Sequence, residues 1–479
     1  MAPCSCLNRI HFRRSTSTRL SKNGWHDRAD RQMDTDMTHD VEQTDKQGTW
    51  MHDLLVRLYP ICRSLAAPGN RETLSILSEF VDLDVVEVAS GTDVFGWTVP
   101  DEWHPKSGEI TGPDGTVYAR FEDNNLHLVN GARPIDQEMD LADLLPHIYS
   151  LPDQPDLVPY VTSYYHPIWG FCMRHADKAA LPPGRYRARI DAEVRPGHLV
   201  YGEAVLPGTS DREVLIDTYI CHPSMANDNL SSVVTATALY KRLSELPRRH
   251  YTYRFIFVPE TIGSLCWLMN NEDAAVPKIH AGLVLSCVGD DGPFTYKRSR
   301  QGNTEIDRIA QQVLGDKGVS TDFFPNSGSD ERQFCSPGFD LPIGMLSRTY
   351  PGQWPYYHTS GDTPERVSPQ TLAGSLDMAW RFITALEANS VRYSRTDPRG
   401  EPMLSKFDLY HRQNVRRNTD MDAERLSRGT LMWLLNLADG SHSLLDMAER
   451  SGADIVQLAQ WAERLVEVGL LVSAVEGEA

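Results

Sequence analysis

The chain has 479 residues and a formal net charge of −18, with 47 Lys and Arg against 65 Asp and Glu. The length predicts roughly two or three domains. The acidic balance argues against nucleic acid as a partner, because phosphate binding needs clustered Lys and Arg. No apolar run approaches the ~18 residues of a membrane span, and no secretory signal is visible. We therefore expect a cytoplasmic protein without a membrane partner, whose eight cysteines are free thiols.

The first segment, residues 1–48, is polar and nearly free of aliphatic side chains. Such a segment buries too little apolar surface to offset the entropy lost on ordering, so we predict that it is disordered. Apolar residues then recur at helical spacing, beginning with Leu54, Leu55 and Leu58. This pattern opens an α/β domain, which we predict over 49–90 and 160–395.

A β-rich insert is predicted over 91–159, where short β-branched segments alternate with turns such as Gly112-Pro113-Asp114-Gly115. The segment Tyr160–Met173 that follows is dense in aromatic residues. It has two interpretations. The aromatic residues pack the insert against the main domain, or they form a pocket wall in which Tyr164 and Trp169 contact a substrate.

The stretch Val214–Leu239 places chemically active residues between a buried strand and a helix. Its apolar run has the length of a strand, and the pattern becomes helical from Leu230. His222 and Asp228 lie on the loop between these elements, which in a parallel α/β sheet is the end where ligands bind. Imidazole and carboxylate groups are common zinc ligands, so this loop is a candidate metal site.

Further strands of the same domain also end in residues that bind metals or move protons. Strand, polar loop and helix alternate along this part of the chain, which predicts a doubly wound mixed sheet with its active edge at the ends of the strands. The four candidate positions are His222 with Asp228, Glu260, Asp330 with Glu331, and His358.

The C-terminal part predicts a linker over 396–422 and a winged-helix domain over 423–479, because three short amphipathic helices precede an apolar strand. From Glu424 onward this part carries nine acidic residues and four basic ones. The domain therefore lacks the basic surface of a DNA reader. We interpret it as a docking or dimerisation module, which would suit a homo-oligomer.

The four positions, in this order, resemble the zinc aminopeptidase-like exopeptidases, a superfamily that includes the glutaminyl cyclases. Its members show a metal-binding His after a strand, then an Asp-Asn pair whose Asp bridges two zinc ions. A Glu-Glu-x-Gly segment, an Asp, a Ser-Asp-His turn and a late Tyr-His-Thr follow. The corresponding segments here are His222, Asp228-Asn229, Glu260-Thr261-Ile262-Gly263, Ser329-Asp330-Glu331 and Tyr357-His358-Thr359.

A closer resemblance is to a bacterial family of aminopeptidase-like proteins that are often labelled polysaccharide-biosynthesis proteins. It covers the chain from about Trp50 to the end and implies the zinc-exopeptidase fold, the β-rich insert and the C-terminal winged helix. The segments that carry it read CHPSMANDNLS, PETIGS, GSDERQFCSPG, YHTS, WTVPDEW and WGFC.

This chain departs from the two-zinc pattern at two ligand positions. The second Glu of the Glu-Glu pair is a zinc ligand in the superfamily, and Thr261 stands in its place here. The Asp ligand after the next strand falls near Ser286, although Asp290 or Asp291 could replace it. The ligands that the resemblance leaves are His222, Asp228 and His358. Three protein ligands are typical of a catalytic zinc site, so we predict one zinc, with two as the alternative.

The resemblance implies a zinc-dependent amide hydrolase that acts on a small aminoacyl or N-acyl substrate, or on a short peptide-like one. Glu260 would be the general base that takes a proton from zinc-bound water, or else a ligand of the metal itself. Asp330 would hold the substrate amine or support a ligand. Tyr357 or Tyr296 would donate a hydrogen bond to the oxyanion.

Two arginines are candidate substrate-binding residues, and two other functions are alternatives to hydrolysis. Arg298 and Arg300 would bind a carboxylate or phosphate of the substrate, or they are structural surface residues. The missing carboxylates also suit a zinc-containing scaffold or binding protein that has lost hydrolysis. Cyclase or transferase chemistry at the same zinc is the third hypothesis, because the glutaminyl cyclases share the scaffold.

Overall fold

The computed structural model describes residues 36–315, 318–325, 328–407, 409 and 421–475. The helices, in chain order, are α1 Asp36–Leu58, α2 Pro68–Leu77, α3 Leu141–Leu144, α4 His175–Ala179, α5 Ser232–Ser244, α6 Ile262–Asn271, α7 Glu305–Leu314, α8 Glu331–Phe334, α9 Pro369–Asn389, α10 Met421–Leu437, α11 Leu444–Ser451 and α12 Ile455–Glu467. The strands, in chain order, are β1 Asp84–Ala89, β2 Asp93–Val94, β3 Trp97–Thr98, β4 Glu102–Thr111, β5 Val117–Tyr118, β6 Ile135–Asp140, β7 Ile148–Tyr149, β8 Phe171–Cys172, β9 Arg185–Arg195, β10 His198–Leu206, β11 Glu213–Tyr219, β12 Thr252–Val258, β13 Ile279–Leu285, β14 Thr295–Lys297, β15 Val319–Thr321, β16 Ile343–Ser347, β17 Val391–Arg395, β18 Asp439–Ser443 and β19 Leu471–Val475.

The main domain is built on an eight-stranded mixed sheet with the order β1-β10-β12-β11-β13-β16-β14-β15. Its centre is parallel, because β11 pairs in parallel with both β12 and β13, and β13 pairs in parallel with β16. Every residue of β11 is buried, as expected for a strand covered on both faces. The predicted doubly wound mixed sheet is therefore confirmed, and the carboxyl ends of its central strands lie along one edge.

Helices cover both faces of this sheet. Helices α1, α5, α7 and α9 pack on one face, where Ile216 of β11 joins their apolar side chains. Helices α6 and α8 pack on the other face, which receives the adjacent Leu215, because successive side chains of a strand point to opposite sides. Within the described part of the chain, no helix combines the length and the apolar character that crossing a membrane requires.

The β-rich insert is larger than the sequence predicted. Its four-stranded sheet has the order β5-β4-β9-β6, so Arg185–Arg195 pairs with strands of the insert and not with the main sheet. The predicted end of the insert at residue 159 is therefore too early. Alternating burial along β9 suits a strand of either sheet, and only contacts distant in sequence decide which sheet it joins.

Helix α1 begins at Asp36, whereas the sequence predicted disorder up to residue 48. The end of this polar segment packs closely against α9 at Gly48. A Cβ atom on Gly48 would lie 2.3 Å from the carbonyl oxygen of Pro369, so the bare glycine lets α1 approach α9 closely. Composition does not reveal such a contact between distant segments. Residues 1–35 of the predicted extension lie outside the described residues.

The C-terminal domain is joined to the main domain by strand and helix contacts. Its sheet has the order β18-β17-β19, so it begins at Val391, inside the range that the sequence assigned to the main domain. Helix α12 packs against α9. Arg308 of α7 forms ion pairs with Asp446 and Glu449 of α11, both at 2.7 Å. Much of the predicted linker, residues 408 and 410–420, lies outside the described residues.

Candidate metal centre

Three predicted ligands meet at the carboxyl edge of the sheet. His222 follows β11, Asp228 lies in the irregular helical turn Ala226–Ser231, and His358 lies on the loop between β16 and α9. The Oδ2 atom of Asp228 is 3.0 Å from Nε2 of His358 and 4.0 Å from Nε2 of His222. All three ligand atoms lie within 4.8 Å of one another, a separation that one metal ion can bridge.

The polar atoms of this cluster face one another without ordinary hydrogen-bond partners. Asp228 Oδ2 and His358 Nε2 are buried and have none among the described residues. The Sγ atom of Cys221 lies 3.3 Å from Nδ1 of His222, which leaves Nε2 of that ring toward Asp228. Burial lowers the pKa of His222 to about 4, so the ring is neutral and able to bind a metal. Two neutral imidazoles and a carboxylate fit zinc.

The other oxygen of Asp228 is already bonded. Its Oδ1 atom accepts a 2.6 Å hydrogen bond from the hydroxyl of Tyr219, which lies 3.1 Å from Oγ of Ser286. The Tyr219 hydroxyl thus connects Asp228 with Ser286, the residue near which the resemblance places an Asp ligand.

The two aspartates that could have replaced the missing ligand do not do so in the structure. Asp290 accepts hydrogen bonds from the hydroxyl of Thr349 at 2.6 Å, from the backbone N–H of Gly292 at 2.7 Å and from the amide of Asn227 at 3.1 Å. Asp291 is exposed to solvent. Asp290 therefore stabilises the loop around Asn227 through these hydrogen bonds.

Both carboxylate oxygens of Glu331 are also bonded to groups of the chain. Its Oε1 atom lies 2.8 Å from Nζ of Lys297, and both side chains are completely buried. Its Oε2 atom accepts the backbone N–H of Ser329 at 2.9 Å. Because both oxygens are bonded within the chain, Glu331 contributes to the stability of the loop after residue 328.

A buried carboxyl group, Asp362, holds the turn that carries Asp228. Its side chain is completely buried and accepts three backbone hydrogen bonds within 3.1 Å. The donors are the N–H groups of Ala226, Asn227 and Asp228. Asp362 thus fixes the backbone on which a ligand is mounted, as the supporting residues of metal sites do.

His358 is fixed through its backbone and its ring. Its φ angle is +55°, a conformation that a non-glycine residue adopts only where the surroundings hold it. The backbone N–H of Tyr160 donates a 2.8 Å hydrogen bond to its carbonyl oxygen. The ring of Tyr357 stacks on the imidazole, with centroids 4.0 Å apart and an angle of 12° between the planes. The structure therefore places Tyr357 beside a metal ligand.

Glu260 follows β12 and stands next to the candidate ligands. Its Oε2 atom is 3.9 Å from Nε2 of His222, and its Oε1 atom accepts a 2.7 Å hydrogen bond from the hydroxyl of Ser329. The side chain keeps 27% exposure, so it is open to water. Burial, and after it the Asp330 carboxyl group, raises the pKa of Glu260. A carboxylate with a raised pKa suits a general base.

Asp330 lies beneath Glu260 and is completely buried. Its Oδ1 atom accepts hydrogen bonds from the backbone N–H of Thr261 at 2.6 Å and from the hydroxyl of Ser264 at 2.8 Å. Thr261 has a φ angle of +66°, so this turn needs to be held in place. Since no part of Asp330 is exposed, it cannot hold a substrate amine, and the structure makes it a positioning residue for the turn that carries Glu260.

The aromatic segment packs the insert against the main domain, and one of its residues, Tyr160, also lies beside the candidate ligands. The Tyr160 ring lies 5.2 Å from the rings of both His222 and His358, and its hydroxyl is 2.5 Å from that of Tyr164. Tyr164 also lines a cavity of about 280 Å³ between the main domain and the insert. Trp169 instead stacks on His147 at 3.6 Å, inside the insert. Tyr160, not Trp169, is therefore the aromatic wall of the site.

The predicted substrate-binding arginines are paired with surface carboxylates. Arg298 lies 3.5 Å from Asp322, and Arg300 lies 2.8 Å from Asp340. In the described part of the chain, neither arginine contacts the candidate ligands. Tyr296, the alternative oxyanion donor, gives its hydroxyl hydrogen to Asp307 at 3.0 Å. These residues shape a neighbouring part of the fold.

Sequence reasoning missed several residues that complete the site. Tyr219 and Asp362 act on Asp228, and Ser329 acts on Glu260. Arg332 was not singled out, although it follows Asp330-Glu331 directly. The available signal was position, because each of these residues lies within four positions of a predicted ligand or of Asp330.

Comparisons with known proteins agree with this architecture. Residues 52–389 match a family described as "Domain of unknown function (DUF4910)", and residues 391–473 match a winged helix-turn-helix family. A Clostridium acetobutylicum protein, named as a candidate polysaccharide biosynthesis protein with an aminopeptidase-like domain, is 39% identical over 434 residues, covering 90% of this chain and 98% of that protein.

Solved structures show the same fold. A crystal structure of a candidate peptidase from C. acetobutylicum matches with a TM-score of 0.83 and 38% identity, covering 91% of this chain and 99% of that chain. A zinc aminopeptidase from Bacillus subtilis matches with a TM-score of 0.52 and 14% identity, covering 71% and 94%. The predicted aminopeptidase-like scaffold and the predicted winged helix are thus confirmed. The chain belongs to the DUF4910 family, with a winged helix-turn-helix domain at its C-terminal end.

Proposed function

We propose that the protein is a zinc-dependent amide hydrolase that uses one metal ion and acts on a small aminoacyl, N-acyl or short peptide-like substrate. The observation that carries the proposal is the position of Glu260, whose free carboxylate oxygen lies 3.9 Å from the imidazole of His222. A base beside a set of two histidines and one aspartate is the composition of a hydrolytic zinc site.

His222, Asp228 and His358 would hold the ion. When bound, zinc supplies a Lewis acid that polarises the amide carbonyl and makes water more acidic. Glu260 accepts the proton of the attacking water at Oε2 and gives it to the leaving nitrogen. Ser329 keeps Oε1 of Glu260 bonded, which aims the other oxygen at the reacting atoms. Tyr357, stacked on His358, is the candidate donor to the oxyanion.

Hydrogen bonds and an ion pair within the chain support the proposal of a single ion. Tyr219 donates to Oδ1 of Asp228, Lys297 pairs with Glu331, and Thr349 donates to Asp290. These three carboxylates are therefore already bonded within the chain.

We also propose that the winged-helix domain does not bind nucleic acid. Its third helix, α12, packs against α9 of the main domain, and Arg381 of α9 lies 3.9 Å from Asp454 at the start of α12. The face that α12 leaves exposed carries Glu463 and Glu467, whose negative charges disfavour contact with phosphates. We assign the domain to packing within the chain or between copies of it.

Removal of zinc should abolish hydrolysis reversibly. The full chain, treated with a chelator and dialysed, is expected to lose all turnover of a panel of amino acid 4-nitroanilides and N-acyl amino acids. One equivalent of zinc should restore it, because the three ligand side chains are held by their own partners. Turnover that survives chelation would contradict the proposal. If the zinc-loaded protein hydrolyses nothing in the panel yet melts at a lower temperature without zinc, the scaffold hypothesis is favoured instead.

A further inference from the structure

Arg332 lies at the edge of the metal centre and faces solvent. It is the second residue of α8, directly after Glu331, and its side chain is exposed. Its Nε atom donates a 3.3 Å hydrogen bond to the carbonyl oxygen of Ser329. The hydroxyl of the same serine donates to Glu260. Ser329 therefore connects the guanidinium group of Arg332 to Glu260, the candidate base.

This cation differs from the other arginines near the loop. Arg298 and Arg300 are paired with aspartates, and Arg63, which is buried, donates to the backbone carbonyl of His222. For Arg332, no carboxylate among the described residues lies within ion-pair distance. The guanidinium group therefore stays exposed to solvent beside the Ser329–Glu260 hydrogen bond.

We propose that Arg332 binds a carboxylate of the substrate, so that the preferred substrates are amides that carry a carboxylate close to the scissile bond. The inference rests on the proposed function of the metal centre and adds the charge of the substrate to it. Guanidinium groups bind carboxylates through two parallel hydrogen bonds, which fix orientation as well as charge. An amide held by the metal at its carbonyl and by Arg332 at its carboxylate would be oriented at two points relative to Glu260.

Two hydroxamates test this inference without knowledge of the natural substrate, because a hydroxamate group binds zinc directly. Acetohydroxamate is neutral, whereas succinic monohydroxamate carries a carboxylate. Titration calorimetry on the zinc-loaded full chain should give about tenfold tighter binding of the second compound, the difference that a charge-assisted pair supplies. In Arg332→Gln, succinic monohydroxamate should bind about tenfold more weakly than it binds the wild-type protein, because its carboxylate has lost its partner. Its affinity should then equal that of acetohydroxamate. Arg300→Gln, an exposed arginine with an aspartate partner, is the matched control and should keep the tenfold preference.

The outcomes separate the inference from the proposal beneath it. Equal affinities in the wild-type protein would overturn the role of Arg332 and leave the metal centre standing. An unchanged tenfold preference in Arg332→Gln would also overturn it, because another group would then bind the carboxylate. If neither compound binds the zinc-loaded protein, the metal centre itself is wrong, and the inference fails with it.

Discussion

Glu260→Gln should lower kcat by about 10²–10⁴-fold on any amide that the protein hydrolyses, the range that a general base contributes. Glutamine keeps the size of the side chain and its contact with Ser329, but it cannot accept the proton of water. The zinc content should not change, because the three ligand residues are untouched. Single-turnover kinetics and metal analysis on the same sample measure both quantities.

Glu272→Gln is a suitable control, since Glu272 is an exposed glutamate at the end of the helix that follows Glu260. It should leave kcat and the zinc content as they are. Two results for Glu260→Gln would contradict its role as base. Unchanged turnover would mean that another group moves the proton, and loss of zinc would mean that Glu260 is itself a ligand.

Lys297→Met should destabilise the fold by about 3–5 kcal/mol, the cost of leaving a buried charge without its partner. Lys297 and Glu331 are both completely buried, and their ion pair measures 2.8 Å. The ammonium group of Lys297 also lies 4.7 Å from the centre of the Phe323 ring. Removing it leaves the Glu331 carboxylate with the N–H of Ser329 as its remaining bond. Urea unfolding of the zinc-loaded protein measures the change.

The double variant Lys297→Met with Glu331→Leu tests the explanation. It should recover most of the lost stability, because replacing a buried pair by apolar groups of similar volume is often neutral. The single variant Glu331→Gln should retain its zinc. Loss of zinc from folded Glu331→Gln would show that Glu331 belongs to the metal centre. A loss of less than about 1 kcal/mol in Lys297→Met would contradict the stabilising role of the pair.

Part of the candidate site was predictable because His222 and Glu260 directly follow strands. His222, Glu260 and His358 are far apart in the sequence, yet apolar runs before His222 and Glu260 mark the ends of β11 and β12, which are neighbours in the sheet. Parallel pairing then brings those ends to one edge. Pattern was therefore sufficient to bring His222 and Glu260 to one edge of the sheet, whereas their roles as ligand and base come from the resemblance and stay predictions.

The supporting residues were not predictable by the same reasoning. Asp362 bonds backbone groups more than 130 positions earlier in the chain, and Lys297 pairs with Glu331 across 34 positions. Arg300 and Arg332 look equally suitable in the sequence, and only the Asp340 partner of Arg300 separates them. The sheet to which β9 belongs was missed for a similar reason. Sequence position marks Asp362 and Arg332 as neighbours of predicted site residues, but contacts between distant segments decide which groups they bind.

The number of ions was predicted from Thr261 and Ser286, and the structure adds a physical reason. Substitution of two ligands removes the carboxylates, but a second ion could still be held by other groups nearby. The hydroxyl of Tyr219 donates a 2.6 Å hydrogen bond to Oδ1 of Asp228, which favours the use of Oδ2 alone by a metal. The proposed function therefore depends on a single ion bound by His222, Asp228 and His358.

Metal analysis by mass spectrometry tests this claim most directly. We expect about one zinc per chain in the wild-type protein, as for a site with three protein ligands. Each of His222→Ala, Asp228→Asn and His358→Ala should lose it, while Asp290→Asn should retain it. Two zinc ions per chain, or one ion that survives loss of any of the three ligands, would contradict the account.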